Sequence, residues 1–140
     1  MHKYSKVLSY PTSHIYQIVA DVKSYPEFLP WLDKVIIQNE EGNFVADLFV
    51  KYKSFEAVYQ SLVKLEENKI TAHSGENEWL DRLVSIWNFE ELEENKTKVD
   101  FALDVKFKSK IVALTFGTVF KKSAEVMIDA FEKRAKELQI

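Results

Sequence analysis

The chain has 140 residues, of which 46% are hydrophobic and 29% are charged, and its formal net charge is −3. This length and composition predict one folded domain over residues 1–140 rather than a disordered chain. The negative charge provides no basic field, so we expect no DNA partner. The chain contains no cysteine, which excludes disulfides, thiol catalysis and zinc–thiolate sites.

The sequence also favours a location. The first residues show neither an apolar signal segment nor an Arg-rich presequence. No run reaches the ~18 apolar residues that a membrane-spanning helix needs. We therefore expect a bacterial cytoplasmic protein, and a peripheral position at the inner membrane stays open.

The N-terminal part of the chain predicts one strand and two short helices. Residues 2–10 alternate in polarity, as a strand with one buried face does. Thr12 or Ser13 is expected to cap the helix that follows. A second short helix is expected to start at Ser24 and to end at Pro30, because proline suits a first helical turn and restricts the residue before it.

The middle of the chain repeats its apolar residues with a period of two. One face of each strand is expected to be buried and the other solvated, which is typical of an antiparallel sheet. The pentapeptide Leu-Glu-Glu-Asn-Lys occurs at 65–69 and again at 92–96, and we interpret both copies as turns in which asparagine tolerates a left-handed backbone. Further strands are expected at residues 33–39, 43–53, 55–65, 69–74, 80–91 and 97–107.

The C-terminal part returns to helical spacing over residues 109–138, with Ser109 as a possible N-cap. A helix of that length spans ~45 Å, enough to cross a whole sheet. The predicted fold class is therefore α+β, with a curved antiparallel sheet of about seven strands wrapped on a long C-terminal helix, the helix-grip arrangement. The expected apolar stripe of the helix consists of Phe116, Phe120, Ala124, Met127, Phe131, Ala135 and Leu138.

Catalytic motifs are not evident in this sequence. The histidines, His2, His14 and His73, are not spaced as metal ligands. The three glycines form no phosphate-binding loop, and no serine stands in a nucleophile elbow. We therefore expect a protein that is not an enzyme and that has no metal and no cofactor.

The aromatic residues are more informative, since the chain has ten Phe, six Tyr and three Trp. They are compatible with an ordinary packed core and equally with a cavity that binds an apolar ligand. In the second interpretation Tyr52 and Tyr59 offer hydroxyls to a ligand carbonyl. The candidate wall residues are Val50, Tyr59, Trp87, Phe101, Leu103, Phe116 and Phe120.

Two prolines stiffen the segment 24–31, where several large apolar side chains crowd together. The segment is interpreted either as a rigid corner that plugs the core or as the rim of a pocket that touches a membrane. The candidate mouth residues are Tyr25, Pro26, Phe28, Leu29 and Trp31.

The same segment carries a family resemblance. Residues 19–31, and especially Tyr25 through Trp31, resemble the signature of the coenzyme Q-binding and ribosome association toxin family, within the START-like (SRPBCC, polyketide cyclase-like) superfamily. Residues 80–89, 99–109 and 127–135 are similar to further parts of its pattern. The chain departs from it at Leu32, where the family often has cysteine, and in the charged loop 75–79. The resemblance implies a START-like fold with a hydrophobic tunnel for ubiquinone or its precursors.

Three hypotheses follow for function. The first is a ubiquinone- or lipid-binding protein, a quinone chaperone that supports cellular respiration, whose partner is a prenyl lipid and which contacts a membrane surface transiently. The second is a ribosome association toxin that binds the large ribosomal subunit and blocks subunit joining, for which Lys106, Lys108, Lys110, Lys121 and Lys122 would supply a local basic face. The third is an aromatase/cyclase-like enzyme, which would need a buried polar dyad.

Overall fold

The structure, a computed structural model, describes residues 2–38, 43–52, 54–114 and 123–138. Seven strands form one sheet in the order β1-β7-β6-β5-β4-β3-β2, and every neighbouring pair is antiparallel. The predicted strand set is thereby confirmed, with shifts of a few residues at the strand ends. The strands are β1 (His2–Leu8), β2 (Leu32–Ile37), β3 (Phe44–Tyr52), β4 (Phe55–Glu66), β5 (Lys69–Ser74), β6 (Leu80–Glu93) and β7 (Lys96–Phe107).

Alternation along the strands decides which face of the sheet is buried. On β7 the side chains of Val99, Phe101 and Leu103 are each at most 3% exposed, while the residues between them are half-buried on the other face. The last strand pairs with the first, so that Tyr4 lies opposite Phe101. The buried face therefore runs without interruption from β1 into the centre of the sheet.

The two copies of the repeated pentapeptide both connect antiparallel strands, as the sequence predicts. In the β4–β5 turn Asn68 has a positive φ of 55°, the left-handed conformation that asparagine tolerates better than most residues. The second copy joins β6 to β7. Within the described ranges no other non-glycine residue has a positive φ, so this second turn closes without that conformation.

Two short helices follow β1, as predicted, but their first residues differ from the expectation. Helix α1 (Thr12–Ala20) has Pro11 as its N-cap residue, and no side chain caps it. The predicted cap by Thr12 or Ser13 is therefore wrong. The Thr12 hydroxyl is instead buried against β7, where it lies 2.9 Å from the hydroxyl oxygen of Thr97.

The second short helix is a 3-10 helix (Val22–Glu27), which begins two residues before the predicted start and contains Pro26. It contacts β2. Its tight winding turns Val22 and Tyr25 inward, so that this segment covers part of the buried sheet face.

The C-terminal helix is described as α2 (Ser123–Glu137), and residues 110–114 are also helical. Ser109 caps that first helical piece, because its Oγ accepts a hydrogen bond of 3.1 Å from the Ile111 amide. The predicted helical residues Phe116 and Phe120 lie outside the described residues. No helix in the described part of the chain is long and apolar enough to cross a membrane.

Helix α2 packs mainly against α1, β1 and β7. On its predicted apolar stripe Ala124, Phe131 and Ala135 are buried, whereas Leu138 is 44% exposed. Ile128, which the predicted stripe omits, is fully buried. The sheet and this helix thus give the expected α+β, helix-grip architecture.

One ion-pair cluster fastens α2 to the edge strand. Lys6 of β1 donates to Asp129 over 2.9 Å and to Glu132 over 2.8 Å. These two carboxylates raise the pKa of Lys6 above its usual value, and the hydrogen bond to Glu132 is the largest cause. The half-exposed position of the pairs limits what they contribute to stability to roughly 1 kcal/mol or less.

Candidate ligand-binding cavity

A partly enclosed cavity of about 100 Å³ lies between the sheet on one side and the 3-10 helix and α2 on the other. Most of the sequence-predicted site residues meet there. They come from four different strands and from residues 22–31, the 3-10 corner, which consists of the 3-10 helix and the turn after it. Those that line it are Tyr25, Leu29, Trp31, Val50, Tyr59, Trp87, Phe101 and Leu103.

Small side chains at the centre of the sheet create this space. Ser61 on β4, Ala72 on β5 and Ser85 on β6 all face the cavity. Ala72 lies directly opposite Ser85 on one side and Val63 on the other. Because these neighbouring positions carry one or two heavy atoms beyond Cα, the large side chains around them cannot close the gap.

Stacked aromatic rings form the wall nearest to α2. The Trp87 and Phe101 rings lie almost parallel, at 22° and with centroids 4.0 Å apart. Phe131 of α2 stands perpendicular to Trp87 at 5.1 Å. Edge-on and offset contacts of this kind add roughly 0.5–1.5 kcal/mol per pair to the burial of the rings. These ring contacts fill the interior next to α2, and the smallest lining residues lie farther from it, on β4, β5 and β6.

Tyr25 closes the cavity beneath the 3-10 corner, and its hydroxyl is already bonded. It donates to the backbone carbonyl of Val19, near the end of α1. That carbonyl is one of the last four of the helix, which have no partner within the helix. Burial raises the pKa of Tyr25 well above its usual value. Tyr25 is thus a neutral hydrogen-bond donor to the last turn of α1.

Tyr59 lines the same cavity, but its hydroxyl has no hydrogen-bond partner within the described residues. Burial alone raises the pKa of Tyr59 above its usual value, so the phenol stays protonated at physiological pH. Its ring meets the Trp79 ring edge-on at 5.9 Å. The hydroxyl therefore remains available as a donor inside the cavity.

The residues of the predicted mouth segment take different positions in the structure. Tyr25 and Leu29 are buried and form wall rather than rim, whereas Trp31 lines the cavity and is half-buried. Pro26 and Phe28 do not line the cavity. Phe28 instead packs edge-on against Phe131 at 5.3 Å, so that it attaches the corner to α2.

Arg134 of α2 holds this corner from the outside. Its guanidinium lies 5.3 Å from the centre of the Phe28 ring, and it donates to Glu27 over 3.1 Å. A second, more open cavity of about 190 Å³ lies beside it, where Phe28, Arg134 and His14 meet. The His14 ring is 3.3 Å from the Ala135 carbonyl oxygen, so this histidine links α1 to α2.

The described residues that line the first cavity are mostly apolar, and the ionisable side chains among them are Tyr25 and Tyr59. Among the described residues that line it there is no acidic, basic or histidine side chain. The described chain likewise contains no cluster of three or more His, Asp or Glu side chains that could hold a metal ion. What the arrangement can do is enclose an apolar molecule and donate hydrogen bonds from hydroxyls.

Sequence reasoning missed ten of the 18 described residues that line the cavity. Leu48 could have been found from its alternation with Val50 on β3, and Val63 from its alternation with Tyr59. The small residues carried no signal of their own, since only the strand register places them side by side. The lining residues that were missed are Val22, Leu32, Leu48, Ser61, Val63, Ile70, Ala72, Leu83, Ser85 and Met127.

Comparison with known proteins identifies the family of this chain. Residues 8–132 match the family described as polyketide cyclase / dehydrase and lipid transport. The chain therefore belongs to this family. The expected resemblance to coenzyme Q-binding proteins and ribosome association toxins is confirmed as well by individual relatives.

One such relative is the ribosome association toxin RatA of Escherichia coli K12, which is 31% identical over 94% of this chain and 84% of its own length. Another is the mitochondrial coenzyme Q-binding protein COQ10 of Dictyostelium discoideum, at 32% identity over 96% of this chain and 68% of its own.

Solved structures agree on the fold. A START superfamily protein from Mycobacterium smegmatis has a TM-score of 0.81 at 20% identity, covering 99% of this chain and 100% of that one. The Zhui aromatase/cyclase from Streptomyces sp. R1128 has a TM-score of 0.82 at 16% identity, covering 96% and 92%. At such identities the likeness concerns the fold alone, which is START-like.

Proposed function

We propose that this protein binds ubiquinone or a related prenyl lipid in the cavity and acts as a quinone chaperone for respiratory electron transport. The observation that carries the proposal is an aromatic-walled cavity lined by Tyr59, whose hydroxyl has no hydrogen-bond partner among the described residues. The similarity to a relative named as a coenzyme Q-binding protein supports the choice of quinone. No step of redox chemistry is assigned to the protein.

The size of the cavity supports a particular manner of binding. An engineered cavity of about 150 Å³ accommodates benzene, and the cavity here measures about 100 Å³. It therefore suits part of a ring and cannot enclose a polyprenyl tail without expanding. We infer that the tail passes out of the cavity beside the half-buried Trp31. We also infer that the 3-10 helix and α2 move when the ligand enters.

A prenyl tail that leaves a bilayer loses an apolar environment. Burial of each CH₂ group is worth about 0.8 kcal/mol, so an extracted tail must find an equally apolar surface. We propose that the protein is cytoplasmic and contacts the inner membrane transiently while it exchanges its ligand.

Extraction from lipid tests this function. Purified protein is incubated with liposomes that contain ubiquinone, separated from them, and analysed by native mass spectrometry. We expect a quinone adduct, and we expect quinone to quench the fluorescence of Trp87 and Trp31. Protein that stays empty and unquenched over a range of quinone concentrations would contradict the proposal.

A second candidate function is ribosome binding, which the similarity to RatA over 84% of that protein's length favours. The proposed basic face is weaker than the sequence suggests, because Lys108 pairs with Glu76 at 2.5 Å and Lys106 lies 3.9 Å from Asp81. Lys110 is exposed; Lys121 and Lys122 lie outside the described residues. Overexpression followed by sedimentation of ribosomes decides this: a loss of joined ribosomes supports the function, and an unchanged profile removes it.

We propose that the protein is not an enzyme, although an aromatase/cyclase shares its fold. The described cavity lining has no acid–base pair, and proton transfer at a reacting carbon depends on such groups. The protein should therefore return a bound polyketide-like ketone unchanged, and a new product in chromatography would reverse this assignment.

A further inference from the structure

Buried hydroxyl groups in this molecule behave in two different ways. Outside the cavity they are paired: Thr97 donates to the Tyr10 carbonyl over 2.8 Å and lies beside the Thr12 hydroxyl, and Ser74 donates to the Gly75 carbonyl over 3.3 Å. Buried polar groups are nearly always paired in this way. Hydroxyls that break the rule therefore need an explanation.

Among the described buried hydroxyl residues the exception is Ser61, which is 4% exposed, and the half-buried Tyr59 and Ser85 line the same cavity. Tyr59 and Ser61 on β4 and Ser85 on β6 all line the cavity, and none of the three has a hydrogen-bond partner in the described part of the chain. No fully enclosed side-chain oxygen or nitrogen lacks a partner there. Since all three residues line the cavity, a molecule inside it lies within reach of their hydroxyl groups.

Their positions on the sheet define one polar area. Tyr59 and Ser61 are two residues apart on β4 and point to the same face. Ser85 stands on β6, and Ala72 of β5 lies directly opposite it, so that only this small residue separates the serine from β4. The rest of the lining is apolar, including Trp87, Phe101 and Leu103 on the other side.

We propose that Tyr59, Ser61 and Ser85 form a polar subsite that receives the oxygen-bearing ring of the ligand, with its apolar tail directed toward Trp31. This inference rests on the proposed function and deepens it. Neutral hydroxyls donate to carbonyl oxygens, and here they come from two strands, β4 and β6, that are separated by β5. A quinone carries carbonyl oxygens on opposite edges and fits this arrangement, whereas a plain hydrocarbon leaves the hydroxyls unpaired.

The arrangement also predicts selectivity. A site that hydrogen-bonds a ligand oxygen discriminates against an analogue that lacks it, because the polar groups of the site are then left without partners. Without ligand, water molecules would occupy the polar area, since a space of roughly 15 Å³ holds one water. A ligand carbonyl replaces this water, but a hydrocarbon cannot reproduce its hydrogen bonds.

The test compares two ligands that differ in their oxygen atoms. Binding of a decyl-tailed benzoquinone and of decylbenzene is measured by isothermal titration calorimetry for the wild type, Tyr59→Phe, Ser61→Ala and Ser85→Ala. For each variant we expect quinone binding about fivefold weaker, the loss that one hydrogen bond typically causes. Decylbenzene should bind equally well or slightly better. Thermal unfolding shows that each variant is folded.

Tyr16→Phe is the matched control, because the Tyr16 hydroxyl donates to the Glu66 carbonyl outside the cavity, and it should leave quinone binding unchanged. Equal losses for both ligands, or no loss in any of the three variants, would overturn the subsite while the apolar cavity remains a binding site. A wild-type protein that binds neither ligand would instead overturn the proposed function itself.

Discussion

The interior of this protein has a packed side and a hollow side. On the packed side, where α2 meets β7 and β6, Phe131 is 1% exposed and contacts the rings of Trp87 and Tyr25 at 5.1 and 5.2 Å. On the hollow side, over β4 and β5, the small residues Ser61 and Ala72 leave a cavity. One side is built for stability, and the other keeps volume free.

That free volume has a cost. Empty space in an interior destabilises a protein because the atoms that line it lose packing contacts. A ligand that fills the space would restore part of these contacts. The packed side must therefore carry more of the stability, and substitutions on the two sides should differ in their effects on unfolding and on binding.

The largest effect is expected on the packed side. Phe131→Ala removes the ring that joins α2 to the corner and to the aromatic wall, and should lower the free energy of unfolding by about 3–5 kcal/mol. Urea denaturation measures this change. Leu138→Ala, at the exposed end of the same helix, should stay within about 0.5 kcal/mol of the wild type. Similar losses in both variants would mean that the packed side is not the stable one.

The two tyrosines that line the cavity are expected to give an intermediate effect. Tyr25→Phe removes the donor to the Val19 carbonyl and leaves that group buried without a partner, which should cost about 1–3 kcal/mol. Tyr59→Phe removes a hydroxyl that has no partner in the described chain and should change stability by less than about 0.5 kcal/mol. Thermal unfolding of both variants checks the difference, and an equal loss would show that the Tyr59 hydroxyl supports the fold.

The contrast between these tyrosines also shows what sequence can and cannot predict. Both were candidate site residues, and both line the cavity. Their different roles depend on where the 3-10 helix places Tyr25 relative to the end of α1, which is a tertiary contact. In the same way Thr12 has the residue type of a helix cap, but burial against Thr97 prevails over that local preference.

Strands were predictable because burial of one face marks every second residue, as Val99, Phe101 and Leu103 show on β7. The hollow side was not predictable in this way. Ser61 and Ser85 are ordinary strand residues in sequence, separated by more than twenty positions, and only the register of three strands brings them around Ala72. The cavity thus depends on how the strands pair with one another, whereas a strand can be predicted from the residues of its own segment.

The smallest effect on stability, with the largest effect on binding, is expected from filling the hollow. Ala72→Val adds two methyl groups where the structure has free space, so stability should change by less than about 1 kcal/mol, in either direction. Quinone binding should weaken at least tenfold, because the added groups occupy the volume that the ring needs.

Ala46→Val is the matched control, since Ala46 is a fully buried strand residue that faces the same interior without lining the cavity. The same two methyl groups have no free space there and should cost about 1–3 kcal/mol by overpacking. Unfolding and ligand titration of both variants therefore test opposite patterns: loss of binding without loss of stability at Ala72, and loss of stability at Ala46. If Ala72→Val instead destabilised the protein as much as Ala46→Val, the interior would be uniformly packed, and the distinction between a packed and a hollow side would have to be abandoned.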